Sequence, residues 1–458
     1  MTRRLFALLL PALAAIPVRA ANLDVTASYK MRAVSYSNLN LDSDKQYYNN
    51  HSFISNDARL GVAVRRISLE SRGAEETTLD VAVTIRALGV TGSTTALQDP
   101  FRRIADNYPS SDFTPFLENA YLKVNRFLGY PLEATFGRQN YRLGSGLLLD
   151  DDGAGLTGVT ARGELPWWGM KLEGFAFADR NSQQAADNSL ALFGLALALP
   201  SEGVWQLNQL FERDRGGQRV YGCSFAGMGP DGCMASKALR SFTSVHYSLN
   251  YGPIVFDGEA ALEKGAATPT GPVPAPNHIT YNGNAQVARA KWKQSLPRLG
   301  EGIARLSVAR GSGDKPDTLT TDEAFFPSHG HRFNGLERSG FGEFFAATPY
   351  DAFGGNYAST STANGLREGA SGIMVVGAGF TPPAYKGFIL DADYYLYQAE
   401  RIRSGPRTLG MEWDLRLRYN VQDRFGVSLS SAWFSAGKAL NPAGAKAVKY
   451  SLEAFGRF

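Results

Sequence analysis

LGMEWDLRLRYN, residues 409–420, alternates without a slip. Leu409, Met411, Trp413, Leu415, Leu417 and Tyr419 fall on one face of an extended chain, and Glu412, Asp414, Arg416, Arg418 and Asn420 on the other. Successive side chains of a strand point to opposite faces, so this is an amphipathic β-strand whose charged face is as regular as its apolar one. AVKYSLEAFGRF (447–458) repeats the pattern, with Val448, Tyr450, Leu452 and Phe458 set against Lys449, Glu453 and Arg457. KGFILDADYYLY, from Lys386, and FGVSLSSAW, from Phe425, do the same.

Scanned in this way, the chain yields about eighteen such segments between residues 22 and 458, from 22–37 and 54–71 through 189–200, 254–264, 281–292 and 300–311 to 447–458. Most run longer than the roughly five or six residues of a typical globular strand. Long connections (38–53, 91–113, the segment around DDDGAG and 312–368) alternate with tight ones at 72–75, Phe127 to Gly129, Pro166, Tyr251 to Pro253 and Gln422. That alternation predicts an all-β fold: a transmembrane antiparallel β-barrel of about 18 strands, with long extracellular loops and short periplasmic turns. Closure pairs every backbone amide in lipid, turns the apolar faces outward and leaves the charged faces to line a lumen. No motif recurs at a fixed period, which argues against a propeller or repeat array. No apolar stretch after residue 20 is long enough for a spanning helix.

TRRLFALLLPALAAIPVRAAN (2–22) has the basic start, short apolar run and small-residue site of a signal peptide, so residues 1–20 are expected to be removed and 21–458 to form the barrel. Of 47 Lys and Arg, loss of Arg3, Arg4 and Arg19 leaves 44 against 43 acids. A near-neutral chain without basic runs is a poor partner for nucleic acid. The 2 cysteines, Cys223 and Cys233, share one polar, Gly-rich segment and are expected to close a loop disulfide in an oxidising compartment. No Ser-His-Asp spacing, phosphate loop or metal-ligand cluster is apparent, so the expectation is a channel without catalysis or cofactor.

Period two assigns the lumen. Arg138, Arg240, Arg305, Arg416, Arg418, Lys449 and Arg457 are expected to line it with Glu412, Asp414 and Glu453, a mixed-sign surface that would set selectivity. The 312–368 connection, rich in aromatic residues and glycine, is too long to be idle and is expected to fold into the mouth and narrow it. In FGRQNYRLGSGLLLDDDGAGLTGV (136–159), Asp150, Asp151 and Asp152 are weak candidates for a Ca²⁺ site and more simply a solvated acidic tip. Terminal Phe458 is expected to be read by the barrel assembly machinery.

The strand-end GRQ followed by LGSG and an acidic turn, together with TLGMEWDLRLRYNVQDRFGVSLSSAWFSAGKAL (408–440), resembles the alginate export family of outer-membrane porins. The resemblance implies an eighteen-stranded barrel in the outer membrane of a Gram-negative bacterium. It also implies passive export of a hydrophilic solute, an anionic polysaccharide, through an Arg-lined constriction. The alternative is a conduit barrel that sheathes a partner protein. A channel predicts that 312–368 packs inside the lumen; a sheath predicts an open bore.

Overall fold

A computed structural model describes residues 21–38, 50–72, 75–92, 114–151, 153–165, 169–180, 189–215, 234–270, 278–298, 300–315, 318, 320–328, 340–344, 370–402, 404–440 and 443–458. Residues 1–20, Asp152, Cys223 and Cys233, and the readings attached to them, lie outside the described residues.

Eighteen strands form the wall. They are β1 (Asn22–Ser37), β2 (His51–Arg72), β3 (Glu75–Gly92), β4 (Thr114–Asn125), β5 (Leu132–Gln139), β6 (Leu156–Leu165), β7 (Met170–Arg180), β8 (Ser189–Pro200) and β9 (Val204–Asp214). The ring continues with β10 (Met234–Tyr251), β11 (Ile254–Thr270), β12 (Asn284–Leu296), β13 (Gly300–Gly311), β14 (Ala370–Thr381), β15 (Phe388–Ile402), β16 (Thr408–Val421), β17 (Phe425–Ala436) and β18 (Lys446–Arg457). Each pairs antiparallel with its neighbours in chain order. β18 returns to β1 in a register running from Ser28 opposite Arg457 to Ser37 opposite Val448. The backbone of Phe458 adds two further bonds to Ala27, of 2.8 and 3.2 Å, so the ring is shut and no wall edge is left for lipid to meet.

The two faces separate by chemistry. Outside, Leu60, Leu195, Leu239, Leu262, Trp292, Leu306, Trp413, Leu429 and Leu452 are exposed, an apolar belt that only lipid can cover. Towards the short-turn end the belt becomes aromatic. Trp205 stacks on Tyr247 with ring centroids 4.4 Å apart, Phe388 lies 5.0 Å from Tyr419, and Tyr130, Tyr251 and Tyr385 are exposed. The turns there are tight: Gln422 and Asp423 both take positive φ (47° and 53°) beneath an Arg424 N–H to Val421 carbonyl bond of 3.0 Å. That conformation matches the right-handed twist of the strands it joins. Inside, the buried residues include Arg32, Arg86, Glu212, Arg240, Glu263, Glu412, Asp414, Lys449 and Glu453, several of them paired across strands. Arg32 and Glu453 meet at 2.7 Å on the β1–β18 seam, for example.

Candidate functional site

Two connections fold back into the barrel. The first is 140–155. Its Leu147, Leu148 and Leu149 are almost fully buried, in one apolar cluster with the inward-facing Phe175, Phe177, Leu190 and Leu192 of β7 and β8. Tyr141 packs 5.0 and 4.8 Å from the rings of Phe175 and Phe177. Polar bonds fix the segment at both ends. The N–H and hydroxyl of Ser145 donate to Glu259 at 2.9 and 2.6 Å, and Arg86, bidentate on Asp57 at 2.9 and 2.8 Å, donates to the Gly153 carbonyl at 2.6 Å. Gly153 holds φ at +67°, and a side chain there would meet the Arg86 guanidinium.

This placement corrects the reading of the acidic tip. Asp151 is buried and accepts from the backbone N–H groups of Tyr141 (3.1 Å) and Gly155 (3.0 Å) and from the Asn140 amide (2.6 Å). Burial raises its carboxyl above the ordinary range in spite of those bonds. Asp150, also buried, faces Arg142 at 3.5 Å. Asp150 and Asp151 shape the turn from within; neither forms a solvated tip.

The second inserted connection is the long one after β13. Its described parts rest on two portions of the wall that stand six to eight strands apart around the ring, β10 for one and β16 and β18 for the other. At the first, Arg240 has no exposed side-chain surface. It binds Glu212 at 2.7 Å and Glu263 at 2.8 Å, and donates to the Phe326 carbonyl at 2.8 Å. Glu263 in turn accepts the Phe326 N–H (2.9 Å), and the Ser328 hydroxyl donates to Glu212. At the second, Glu412 accepts the N–H groups of Glu343 and Phe344 (2.6 and 2.8 Å), and Lys449 pairs with Glu343 at 2.7 Å. The Tyr397 hydroxyl, 2.7 Å from both the Phe341 carbonyl and Glu412, closes the contact. Gly342 is required here: its φ is +104°, and a Cβ would run into the Tyr397 hydroxyl. Near the root of the connection, outside the strands, burial together with the Asp322 and Glu323 carboxylates holds the proton on Asp314 well above the carboxylate range.

Between these insertions and the wall, described residues line two cavities. The larger, about 420 Å³, is lined by Arg142 and Gly340 of the two connections and by Arg289, Lys291, Arg305, Ser307, Asp391, Asp393, Tyr395, Arg416 and Arg418 of β12–β16. Asp391 and Asp393 are held by Arg305 (3.4 and 3.0 Å) and Arg418 (2.9 Å to Asp391). Six bases therefore face two acids. The smaller, about 250 Å³, lies against β4–β7 and is lined by Asn119, Tyr121, Thr135, Gln139, Asn140, Tyr141 and Thr160 with the pairs Lys123–Glu133 and Arg162–Glu173.

The ten residues expected to line the pore thus divide. Arg305, Arg416 and Arg418 line the larger cavity. Arg240, Glu412 and Lys449 are sealed beneath the inserted chain and hold it. Glu453 stands between Arg32 and Arg416 (2.7 and 3.6 Å), and Asp414 is buried on the inward face of β16. Two expectations are corrected. Arg138 shares the outward face of β5 with the exposed Phe136, and its guanidinium caps the carbonyls of Leu117 (2.8 Å) and Ala154 (2.6 Å) at the rim. Arg457 ties the periplasmic turn by donating to the Asp423 carbonyl at 2.6 Å. The lining that period two alone missed includes Arg142, Arg289 and Lys291. Arg142 lies on an inserted loop, where strand parity gives no guidance.

No protein-family model and no curated protein matches the chain. Solved structures do match it. The OccK9 (OpdG) protein of Pseudomonas aeruginosa superposes with a TM-score of 0.55 at 11% identity, over 95% of this chain and 98% of that one. A BenF-like porin from Pseudomonas fluorescens Pf-5 gives 0.56 at 11% over the same shares. OpdK of Pseudomonas aeruginosa, solved with vanillate, gives 0.51 at 13% identity, again over 95% and 98%. At such identities the likeness is one of fold, and with the lipid-facing belt it makes this chain an eighteen-stranded β-barrel of the bacterial outer membrane.

Proposed function

We propose that the chain is a non-catalytic diffusion channel that passes hydrophilic anions across the outer membrane. The observation that carries the reading is the larger cavity, where six bases face two acids in the part of the bore narrowed by both inserted connections. A low-dielectric wall focuses the field of those bases, so an anion entering the bore is concentrated there while a cation is repelled. The buried acids do not offset this, because Glu212, Glu263, Glu343 and Glu412 are engaged in holding the inserted chain. Packing of 320–328 and 340–344 against the inner wall also weighs against a sheath, which needs an open bore.

The test is single-channel recording of the folded protein in planar bilayers under a salt gradient. Discrete steps with a reversal potential on the anion side are expected, and the Arg416→Ala/Arg418→Ala double variant should move that potential towards zero. Absence of steps, or cation preference, would overturn the proposal. The resemblance to the alginate export family extends the reading to linear polyuronates, whose carboxylates would pass the arginines in single file. Oligouronates should then interrupt the current more often than neutral oligosaccharides of equal length; equal interruption by both would remove the polyuronate reading and leave the anion channel.

A further inference from the structure

On three neighbouring strands the lipid-facing series ends alike at the extracellular side. The exposed Phe211 of β9 is followed two residues on by Arg213, Lys237 stands two residues beyond Leu239 of β10, and Leu262 of β11 is followed by Lys264. Two residues on is the same face of a strand, so all three bases point out of the barrel, just above the apolar belt. Their registers are staggered: Arg213 sits opposite Leu239 and Lys264 opposite Ser241, so along the strands Lys237 stands about 7 Å beyond Arg213 and Lys264 about 7 Å short of it. With strands about 4.8 Å apart, the three bases span a patch roughly 10 Å wide and roughly 13 Å long.

All three are exposed. Among the described residues they make no ion pair, and the one polar contact is the Lys264 ammonium donating to Asn282. The acids of this wall, Glu212, Asp214, Asp257, Glu259 and Glu263, lie on the alternate, inward face. A fourth base at the same boundary behaves differently: Arg310, two residues beyond the exposed Val308, is neutralised by Glu400 at 2.8 Å. Three unneutralised bases at the edge of hydrocarbon, on the side of a barrel, face lipid headgroups and not a solute.

We propose that Arg213, Lys237 and Lys264 form a binding site for the phosphate groups of a glycolipid in the external leaflet of the outer membrane. The acyl chains of that lipid would lie along Phe211, Leu239 and Leu262, and its phosphates would reach the three side chains. The site is independent of the bore, so conductance and lipid binding can fail separately.

The experiment is native mass spectrometry of the detergent-solubilised barrel with bis-phosphorylated lipid A and with its dephosphorylated form. Retention of the phosphorylated lipid, and its loss on the order of a hundredfold in the Arg213→Ala/Lys237→Ala/Lys264→Ala variant, is expected, since each base near an anionic surface contributes roughly a fivefold factor. Lys237→Arg/Lys264→Arg should retain binding, and the Ala variant should keep its unfolding temperature and conductance, because these exposed side chains point away from the bore and make no ion pair among the described residues. Equal retention of both lipids, equal binding by the triple variant, or displacement of the lipid by an equal concentration of inorganic phosphate would each overturn the assignment.

Discussion

Arg240 and Arg418 both stand on inward faces of the wall, in strands whose alternation treats them alike. Arg240 is sealed, with two carboxylates and a loop carbonyl around it. Arg418 keeps about a third of its side chain exposed beside the larger cavity and shares Asp391 with Arg305. The difference lies in what covers them. An inserted connection turns the first arginine into a fastening and leaves the second facing the cavity, so the sign of a lumen residue says little until its cover is known.

Substitutions that separate stability from selectivity put this contrast at risk. Arg240→Ala would leave Glu212 and Glu263 buried without their cation, at about 3–5 kcal/mol. Denaturant unfolding in detergent should register that loss, and open-channel conductance should rise as the inserted chain comes away. Unchanged stability would show that the fastening is elsewhere. At the other anchor, Glu343→Gln keeps the shape and removes the charge facing Lys449, so a smaller loss of about 1–3 kcal/mol is expected. A shift in unfolding midpoint without a change in slope would check it. Arg418→Ala is the opposite case. Its partly exposed pair should contribute less than about 1 kcal/mol, yet the reversal potential should fall measurably. A large stability loss with unchanged selectivity would erase the distinction.

The remaining effect is one of pH and concerns Asp314. The native state holds a proton there that the unfolded chain gives up in the ordinary carboxylate range. This contribution is fully present below that range and is lost as pH rises towards the raised native value. Asp314→Asn should therefore flatten the decline of stability across neutral to alkaline pH. Parallel pH profiles for the two proteins would contradict the assignment.

The wall was legible because lipid outside and water inside impose a strict alternation. The expected 189–200 and 300–311 coincide with Ser189–Pro200 and Gly300–Gly311. Where side chains shrink, the signal fades. The strand expected over 254–264 continues to Thr270 through Gly265, Ala266 and Ala267, and the one expected from 281 begins at Asn284, after Gly283 turns its carbonyl to the Glu263 N–H. The site was less legible. Contact of 320–328 and 340–344 with the inner wall follows from the aromatic content of those stretches, but Leu147, Leu148 and Leu149 carry no period in a loop. One clue was present: SLALFGLALALP is apolar on both faces, and a lumen wall of that kind needs a cover. Facing could be read from parity, whereas which charges lie beneath inserted chain depends on contacts between residues more than a hundred positions apart, such as Lys449 with Glu343.

The 140–155 segment has a consequence for traffic through the bore. Asn140 and Tyr141 border the polar cavity, and Arg142, the next residue, borders the basic one. A single stretch of chain thus parts two surroundings, one of neutral polar groups and paired charges and one with an excess of bases. Adjacent residues of one loop therefore face opposite chemical conditions, and a shift of that loop would alter both cavities at once.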